Sequence, residues 1–148
     1  MKQRLVISLA ASFVLLALAA PAWAGQPSGP VTIETAISFA EFPFSGTFAV
    51  VEGADTLGCS GGTFVDHPFG FGAIRKAFEC TQGANQGTFT FVFRPGPGPG
   101  SGDGNGHWAA YKSTQDFSGL RGQGDFSVTY TGVDTGMEIL TGVVHYEP

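Results

Sequence analysis

The chain is poor in charge, and what charge it has is scattered. Charged residues make up 13% of the 148 positions, and Arg75-Lys76 is the only adjacent basic pair. A nucleic-acid footprint needs clustered Lys and Arg, so we predict no nucleic-acid partner. The 12 Asp and Glu residues stand mostly alone, which indicates a solvated surface rather than an acidic tail.

Cysteine is also scarce, with only Cys59 and Cys80 in the chain. Two cysteines without a CxxC spacing make a poor metal site, and we predict no metal and no cofactor. An even count in an exported protein is most simply interpreted as one disulfide. We therefore predict a Cys59–Cys80 bridge.

The N-terminal segment resembles a secretory signal peptide. Lys2 and Arg4 precede an apolar run over 5–20, and Pro21 and the small-x-small sequence 22–24 follow it. We predict cleavage after Ala24 and a secreted or periplasmic protein that does not span the membrane after processing. An uncleaved anchor is the alternative. The mature chain, 25–148, has five Lys and Arg against 12 Asp and Glu, a formal charge of −7, and is long enough for one domain.

Helical periodicity is nearly absent after residue 24, and a period of two replaces it. Segment 87–94 places its phenylalanines on one face and Thr88, Thr90 and Arg94 on the other. Such alternation is typical of half-buried antiparallel strands. Eight segments of this kind are predicted, near 31–38, 44–52, 56–66, 73–81, 86–94, 106–114, 122–132 and 137–146. We predict an all-β fold, a single antiparallel eight-stranded barrel with one disulfide, and keep a sandwich as the alternative.

A Gly/Pro-rich segment, 95–106, interrupts this pattern. Glycine occupies every second position from 96 to 106, whereas collagen needs it at every third. A linker would need a folded unit on each side, and the chain after it contains only three predicted strands. One carboxylate, Asp103, cannot fill the oxygen positions of a calcium loop. We predict a flexible loop between the fifth and sixth strands, suited to act as a lid.

Segment 112–126, KSTQDFSGLRGQGDF, carries a family resemblance. It resembles the G-T-G-x-F-x-G-L-x-G-x-G pattern of small eight-stranded barrels related to allene oxide cyclases and dirigent proteins, and more closely that of uncharacterised secreted bacterial members of this calycin-like group. The resemblance implies that Phe117 plugs one barrel end and that Gly119, Gly122 and Gly124 are turn residues. Trp108 and the segments 59–64, 78–80 and 87–89 also resemble those secreted members. The resemblance implies a fold and an exported protein, and it implies no catalytic residue.

Several polar residues could take part in catalysis or metal binding, and we favour a surface position for most of them. Gly58-Cys59-Ser60-Gly61-Gly62 satisfies G-x-S-x-G, but a nucleophile elbow requires a strand–turn–helix setting. The acidic candidates and the histidines lack metal-like spacing or any sign of burial; they are Glu79, Asp116, Asp125, His67, His107 and His145. The pair Asp66-His67 beside Pro68 is expected at a solvated turn. Arg121 is expected to form a salt bridge at the barrel end or to meet an anionic ligand, with the structural role favoured.

Aromatic residues are the remaining candidates for a binding site, since eight strands enclose either a packed core or one small ligand. We expect the phenylalanines to pack mainly as core, and the alternative is an apolar pocket with Trp108 and the 95–106 loop at its mouth. The candidate ligand-binding residues are Trp108, Phe89, Phe91, Phe93, Phe126 and Arg121.

Three functions stay open at this point. The first is a secreted, non-catalytic barrel that binds a small apolar ligand. The second is a cyclase or isomerase, and the third is a module that binds a protein partner. A cavity with a buried carboxylate or histidine would favour the second, whereas a filled interior with no buried ionisable group would leave only the third.

Overall fold

The computed structural model describes residues 27–96 and 104–148. It contains eight strands, one four-residue helix and one short 3-10 helix, which we label η1. Their bounds are β1 (Ser28–Ser38), β2 (Ser45–Glu52), α1 (Ala54–Leu57), β3 (Gly61–Gly70), β4 (Ala73–Gln82), β5 (Gly87–Pro95), β6 (Asn105–Ala110), η1 (Gln115–Phe117), β7 (Leu120–Tyr130) and β8 (Thr135–Tyr146).

The strands close into one antiparallel barrel in sequence order. Each strand pairs with the next one along the chain, and β8 returns to β1 over eleven residue pairs, from Ser28 opposite His145 to Ser38 opposite Thr135. Closure leaves no free sheet edge, which is how such barrels avoid edge-to-edge aggregation. The prediction of an all-β, eight-stranded antiparallel barrel is confirmed.

The two ends of this barrel differ. The connections β1–β2, β3–β4, β5–β6 and β7–β8 lie at one end, which we call the open end. The remaining connections, with α1, η1 and the segment that follows β8, lie at the other, which we call the closed end. The disulfide Cys59–Cys80 joins the chain after α1 to β4 at the closed end, and the predicted pairing is confirmed.

The closed end contains the main differences from the predicted strands. The expected third strand, 56–66, is replaced by α1 and a strand that begins at Gly61. Gly53 and Gly58 flank α1 with φ of 79° and 76°, a left-handed conformation that glycine adopts without steric cost. These two glycines turn the chain sharply enough for one helical turn, which buries Leu57 completely.

Phe117 lies fully buried at the closed end, where its ring is 5.2 Å from that of Phe89. Gly119 lies in the turn after η1, but the expectation that Gly122 and Gly124 are also turn residues is wrong, because both lie inside β7. A Cβ on Gly124 would approach the indole Nε1 of Trp108 to 2.7 Å. Gly124 is therefore needed for close packing rather than for a turn.

The half of the interior next to the closed end is filled by aromatic rings. Phe78 stacks on Phe89 with centroids 4.8 Å apart, and Phe91 stacks on Trp108 at 4.3 Å. The Trp108 indole N–H donates to the carbonyl oxygens of Asp125 at 3.1 Å and Thr141 at 3.3 Å. This part of the barrel is a packed core.

Two predictions concern segments outside the described residues. The signal peptide, 1–24, and positions 97–103 of the predicted loop 95–106 stay predictions. Within the described residues, no helix has the length and apolar character needed to cross a membrane.

Candidate functional site

Three charged side chains meet inside the barrel, between the aromatic core and the open end. They are Asp66 on β3, Lys76 on β4 and Glu138 on β8, and we call them the carboxylate–lysine triad. The Lys76 Nζ lies 3.1 Å from Asp66 Oδ1 and 3.0 Å from Glu138 Oε2. Only 2% of the Lys76 side chain is exposed, with 6% of Asp66 and 5% of Glu138. A buried ion cluster of this kind is uncommon, because each charge loses its hydration.

Strand alternation explains why these side chains point inward. Lys76 lies on the same face of β4 as the buried residues Phe78 and Cys80, and Glu138 lies on the same face of β8 as Leu140. Asp66 and Lys76 are directly paired across β3 and β4. In the strand order β8 is the fourth strand from β4 in either direction, so Lys76 reaches across the interior to the opposite wall.

Aromatic rings complete the surroundings of the Lys76 ammonium. Its nitrogen lies 4.0 Å from the centroid of the Phe64 ring and 5.3 Å from that of Phe93. A cation over a ring face is attracted by the ring quadrupole, most strongly where water is excluded. The ammonium is therefore held by two carboxylates and one close ring.

Burial raises the pKa of both carboxyl groups. For Asp66 the loss of hydration raises the pKa, and the attraction of Lys76 only partly opposes this. The pKa of Glu138 is raised for the same reason, and the negative charge of Asp66 raises it further. Each carboxyl group therefore holds a proton more readily than an exposed carboxyl group does.

The hydrogen bonds of the triad leave acceptors unused. Lys76 Nζ donates to Asp66 Oδ2 at 3.4 Å. Asp66 Oδ1 and Glu138 Oε2 lie 3.1 and 3.0 Å from the same nitrogen as its ion-pair partners. Thr35 is opposite Glu138 in the β1–β8 ladder, and its hydroxyl is buried. One ammonium cannot use all the lone pairs of two carboxylates, so acceptor capacity is left over.

A cavity of about 230 Å³ lies directly above the triad and opens at the open end. Its walls are mainly apolar, and the triad forms its floor. The lining residues are Ile37, Phe39, Phe44, Asp66, Ile74, Lys76, Phe93, Pro95, Gly104, Asn105, Phe126, Val128, Tyr130 and Glu138. Ligand sites typically combine such apolar walls with a few polar groups, and this volume suits a small molecule.

Exposed apolar side chains surround the mouth of the cavity. Phe42 lies in the β1–β2 connection, Phe71 in the β3–β4 turn and Val133 in the β7–β8 turn, and each is largely exposed. The β1–β2 and β7–β8 connections touch, because the Phe39 N–H donates to the Asp134 carbonyl at 2.8 Å. The mouth is thus bordered by apolar groups.

Two of the six sequence-based candidate residues line this cavity. Phe93 and Phe126 form part of its wall, with ring centroids 5.0 Å apart. Phe89, Phe91 and Trp108 lie deeper, in the packed core, so Trp108 is buried and is not at the mouth.

The sixth candidate, Arg121, is the second residue of β7, at the closed end and far from the mouth in strand register. Its Nε lies 2.8 Å from Glu147 Oε2, and both side chains are about half exposed. Arg121 thus forms a salt bridge at the closed end and does not line the cavity.

The other polar candidates lie on the surface, as predicted for most of them. Glu79, Asp116 and Asp125 are exposed, and so are His107 and His145. His107 Nδ1 lies 2.5 Å from Asp125 Oδ1 on the outer wall. Within the described part of the chain, no group of three or more His, Cys, Asp or Glu residues is arranged to hold a metal ion.

The expectation of a solvated Asp66-His67 turn is wrong. Both residues lie within β3, which continues to Gly70 with an irregular register around Pro68. Asp66 is buried and His67 is partly buried. The proline suggested a turn, but here it occupies a strand position close to a bulge, where a missing N–H is tolerated.

Sequence reasoning missed the triad, although a signal was present. In β4 the inward positions run Ile74, Lys76, Phe78 and Cys80, so the alternation places Lys76 with the core residues. In the sequence alone, Lys76 stands out only as half of the adjacent basic pair Arg75-Lys76.

Comparison of the chain with known protein families, with curated proteins and with solved structures finds no match in any of the three.

Proposed function

We propose that this protein is an exported β-barrel that binds a small, mainly apolar molecule in the cavity at its open end. The observation that carries this proposal is the cavity itself, since aromatic and aliphatic side chains surround about 230 Å³ of space above a buried polar floor. A barrel with no such role would gain stability by filling this space, because empty apolar volume costs free energy. The Cys59–Cys80 disulfide is typical of a protein that folds outside the cytoplasm.

The resemblance of segment 112–126 supports the same proposal. Secreted barrels related to allene oxide cyclases and dirigent proteins carry a similar pattern, and we place this chain with that calycin-like group as part of the proposal. The signal peptide, cleaved after Ala24, would export it to the periplasm or the medium.

A catalytic role is the second candidate, and the triad favours it. Two buried carboxyl groups with raised pKa stand beside one ammonium, so one can donate a proton while the other accepts one. That combination suits proton transfer in an isomerisation or cyclisation. Binding and catalysis use the same cavity, so a test of ligand entry comes first.

The test of binding uses titration calorimetry with propylbenzene and 2-phenylethanol and a variant that fills the cavity. Val128 lines the cavity from β7, and Val128→Phe adds volume there without adding charge. We expect saturable binding of at least one probe to the wild-type chain and at least a tenfold weaker affinity for Val128→Phe. Val51→Phe, at an exposed position on β2, is the matched control and should bind as the wild type does. Absence of binding by both probes would refute the proposal.

Recovery of the bound molecule separates the two candidates. The protein is purified gently from its own host, and any apolar molecule that copurifies with it is extracted. The ligand-free protein is then incubated with that molecule. If the molecule returns chemically unchanged, the protein is a binding protein. If it is converted, and Glu138→Gln abolishes the conversion, the catalytic candidate is correct.

A further inference from the structure

The carboxylate–lysine triad has one more acid than base. If all three groups are ionised, the interior carries one uncompensated negative charge, and an unpaired buried charge is costly. Among the described residues that line the cavity, Lys76 is the only cation. Thr35 is opposite Glu138 in the β1–β8 ladder, Asn105 and Tyr130 line the cavity, and His67 lies beside Asp66 in β3. None of these supplies a second fixed positive charge within the cavity.

The donors of Lys76 are already engaged. Its ammonium contacts Asp66, Glu138 and the ring of Phe64 at the distances given above. An ammonium has three N–H donors, whereas two carboxylates offer about eight lone-pair sites. An anionic ligand would find no free donor on Lys76, whereas a donor ligand would find acceptors.

Two carboxylates that provide those acceptors line the cavity. The side chains of Asp66 and Glu138 form its floor, both are more than nine-tenths buried, and Lys76 is the one cation within ion-pair distance of either among the described residues. Their combined preference is for a group that carries both a positive charge and N–H donors. The aromatic walls formed by Phe93 and Phe126 favour a cation over an anion as well.

We propose that the cavity binds a small primary amine with an apolar body, whose ammonium is held by the carboxylates of Asp66 and Glu138. This inference rests on the proposed function, because it names the ligand class of the same cavity. With an amine bound, two ammonium groups and two carboxylates share the floor, and its net charge is zero. The apolar body of the ligand contacts the upper walls.

Binding of the amine is coupled to release of a proton. The ligand ammonium and a proton on Asp66 or Glu138 would each neutralise the excess negative charge of the floor, so the two compete. Affinity for the amine should rise with pH while the carboxyl groups titrate. It should fall again only where the amine itself deprotonates, near about pH 10. The raised pKa of both carboxyl groups supports this competition.

Four probes with the same phenyl group test the ligand class by titration calorimetry at pH 7. They are phenethylamine, 2-phenylethanol, propylbenzene and 3-phenylpropionate. We expect phenethylamine to bind about tenfold or more tightly than 2-phenylethanol, because hydrogen bonds to charged groups are the stronger class. We expect no binding of 3-phenylpropionate. Equal or tighter binding of the alcohol, or binding of the carboxylate, would overturn the inference.

Variants then test whether the preference for phenethylamine depends on the carboxylates of the cavity floor. Glu138→Gln removes the excess charge and keeps the shape, so the preference for phenethylamine over 2-phenylethanol should disappear while the alcohol still binds. Asp66→Asn should give the same result and serves as the second variant if Glu138→Gln does not fold. Glu79→Gln changes an exposed carboxylate on β4 and should leave the preference intact. A preference that survives in both floor variants would contradict the assignment.

The probe set also separates this inference from the proposed function. If 2-phenylethanol and propylbenzene bind but phenethylamine binds no more tightly, the cavity is a ligand site and the amine assignment is wrong. If none of the four probes binds, both proposals are wrong. Loss of amine affinity between pH 7 and pH 5, with the alcohol unaffected, would support the proton competition.

Discussion

The two ends of the barrel differ in whether the chain closes the interior. At the closed end the chain caps the interior with its own residues, since Leu57 from α1 and Phe117 from η1 are fully buried. The Tyr146 hydroxyl donates to the Leu57 carbonyl at 2.7 Å, and the Asn85 amide donates to the same oxygen at 3.1 Å. At the open end no comparable plug is present among the described residues, and a cavity remains.

The inward side chains differ between the two halves. The half next to the closed end is filled by Phe48, Phe78, Phe89 and other large rings. Above these rings the triad occupies inward positions, and the side chains beyond it line a cavity instead of filling the interior. A closed barrel therefore need not have one uniform interior. Its residues can make one half a core and the other half a site.

The largest effect is expected at the boundary between the halves, for Lys76→Met. The substitution leaves two buried carboxyl groups without their countercharge and should lower the free energy of unfolding by about 3–5 kcal/mol at pH 7. The folded-state pKa of both groups would rise further above their unfolded values, so the lost stability returns as the pH falls toward 4. Urea unfolding at pH 4 and pH 7 measures this. A loss that does not depend on pH would show that packing, not charge, is responsible.

The second-largest loss of stability is expected for Phe117, which is buried at the closed end, in contrast to Phe71, which lies in an exposed turn at the open end. Phe117→Ala should cost about 3–4 kcal/mol, because it opens a cavity in the packed end. Phe71→Ala removes a ring of the same size from an exposed turn and should change stability by less than about 0.5 kcal/mol. Equal losses for the two variants in urea unfolding would contradict the contrast between the ends.

Removing the disulfide should lower the free energy of unfolding slightly less than Phe117→Ala does. The bridge closes a loop with a sequence separation of 21, so the double variant Cys59→Ala/Cys80→Ala should lose about 3 kcal/mol. The affinity of the cavity should stay unchanged, because the bridge lies at the closed end. Thermal unfolding together with titration of 2-phenylethanol checks both points, and a loss of affinity in the folded double variant would show that the two ends are coupled.

The smallest stability effect is expected for Glu138→Gln, and it concerns pH. In the wild type the pKa of Glu138 is raised in the folded state, so this group favours the folded state at low pH and loses that contribution as the pH rises through its folded pKa. Gln does not titrate. The variant should therefore gain stability relative to the wild type as the pH increases from 4 to 8. A constant difference across this range would show that Glu138 has an ordinary pKa.

Much of the closed barrel could be predicted from the sequence, because a period of two directly encodes which face of a strand is buried. Segment 87–94 became β5 almost unchanged, and both cysteines paired as expected. The turn α1 was missed because the positive φ values at Gly53 and Gly58 depend on the register of the neighbouring strands. The fold prediction succeeded where local pattern and burial agree.

The site was harder to predict because its three residues are brought together only by barrel closure. Asp66 and Lys76 meet in one hairpin, but Glu138 belongs to the last strand and reaches them across the interior. The charge of each triad residue favoured a surface position, whereas the strand alternation favoured an inward position. At Lys76 and Glu138 the alternation was the correct guide.

The most direct test of the account observes both ends at once. Methyl NMR spectra of the wild-type protein would be recorded during titration with phenethylamine, with Ile37, Ile74 and Val128 reporting on the cavity and Leu57 and Leu120 on the closed end. We expect saturable shifts of the cavity methyl groups and little change at the closed end. Shifts that do not saturate, or that are equal at both ends, would contradict it.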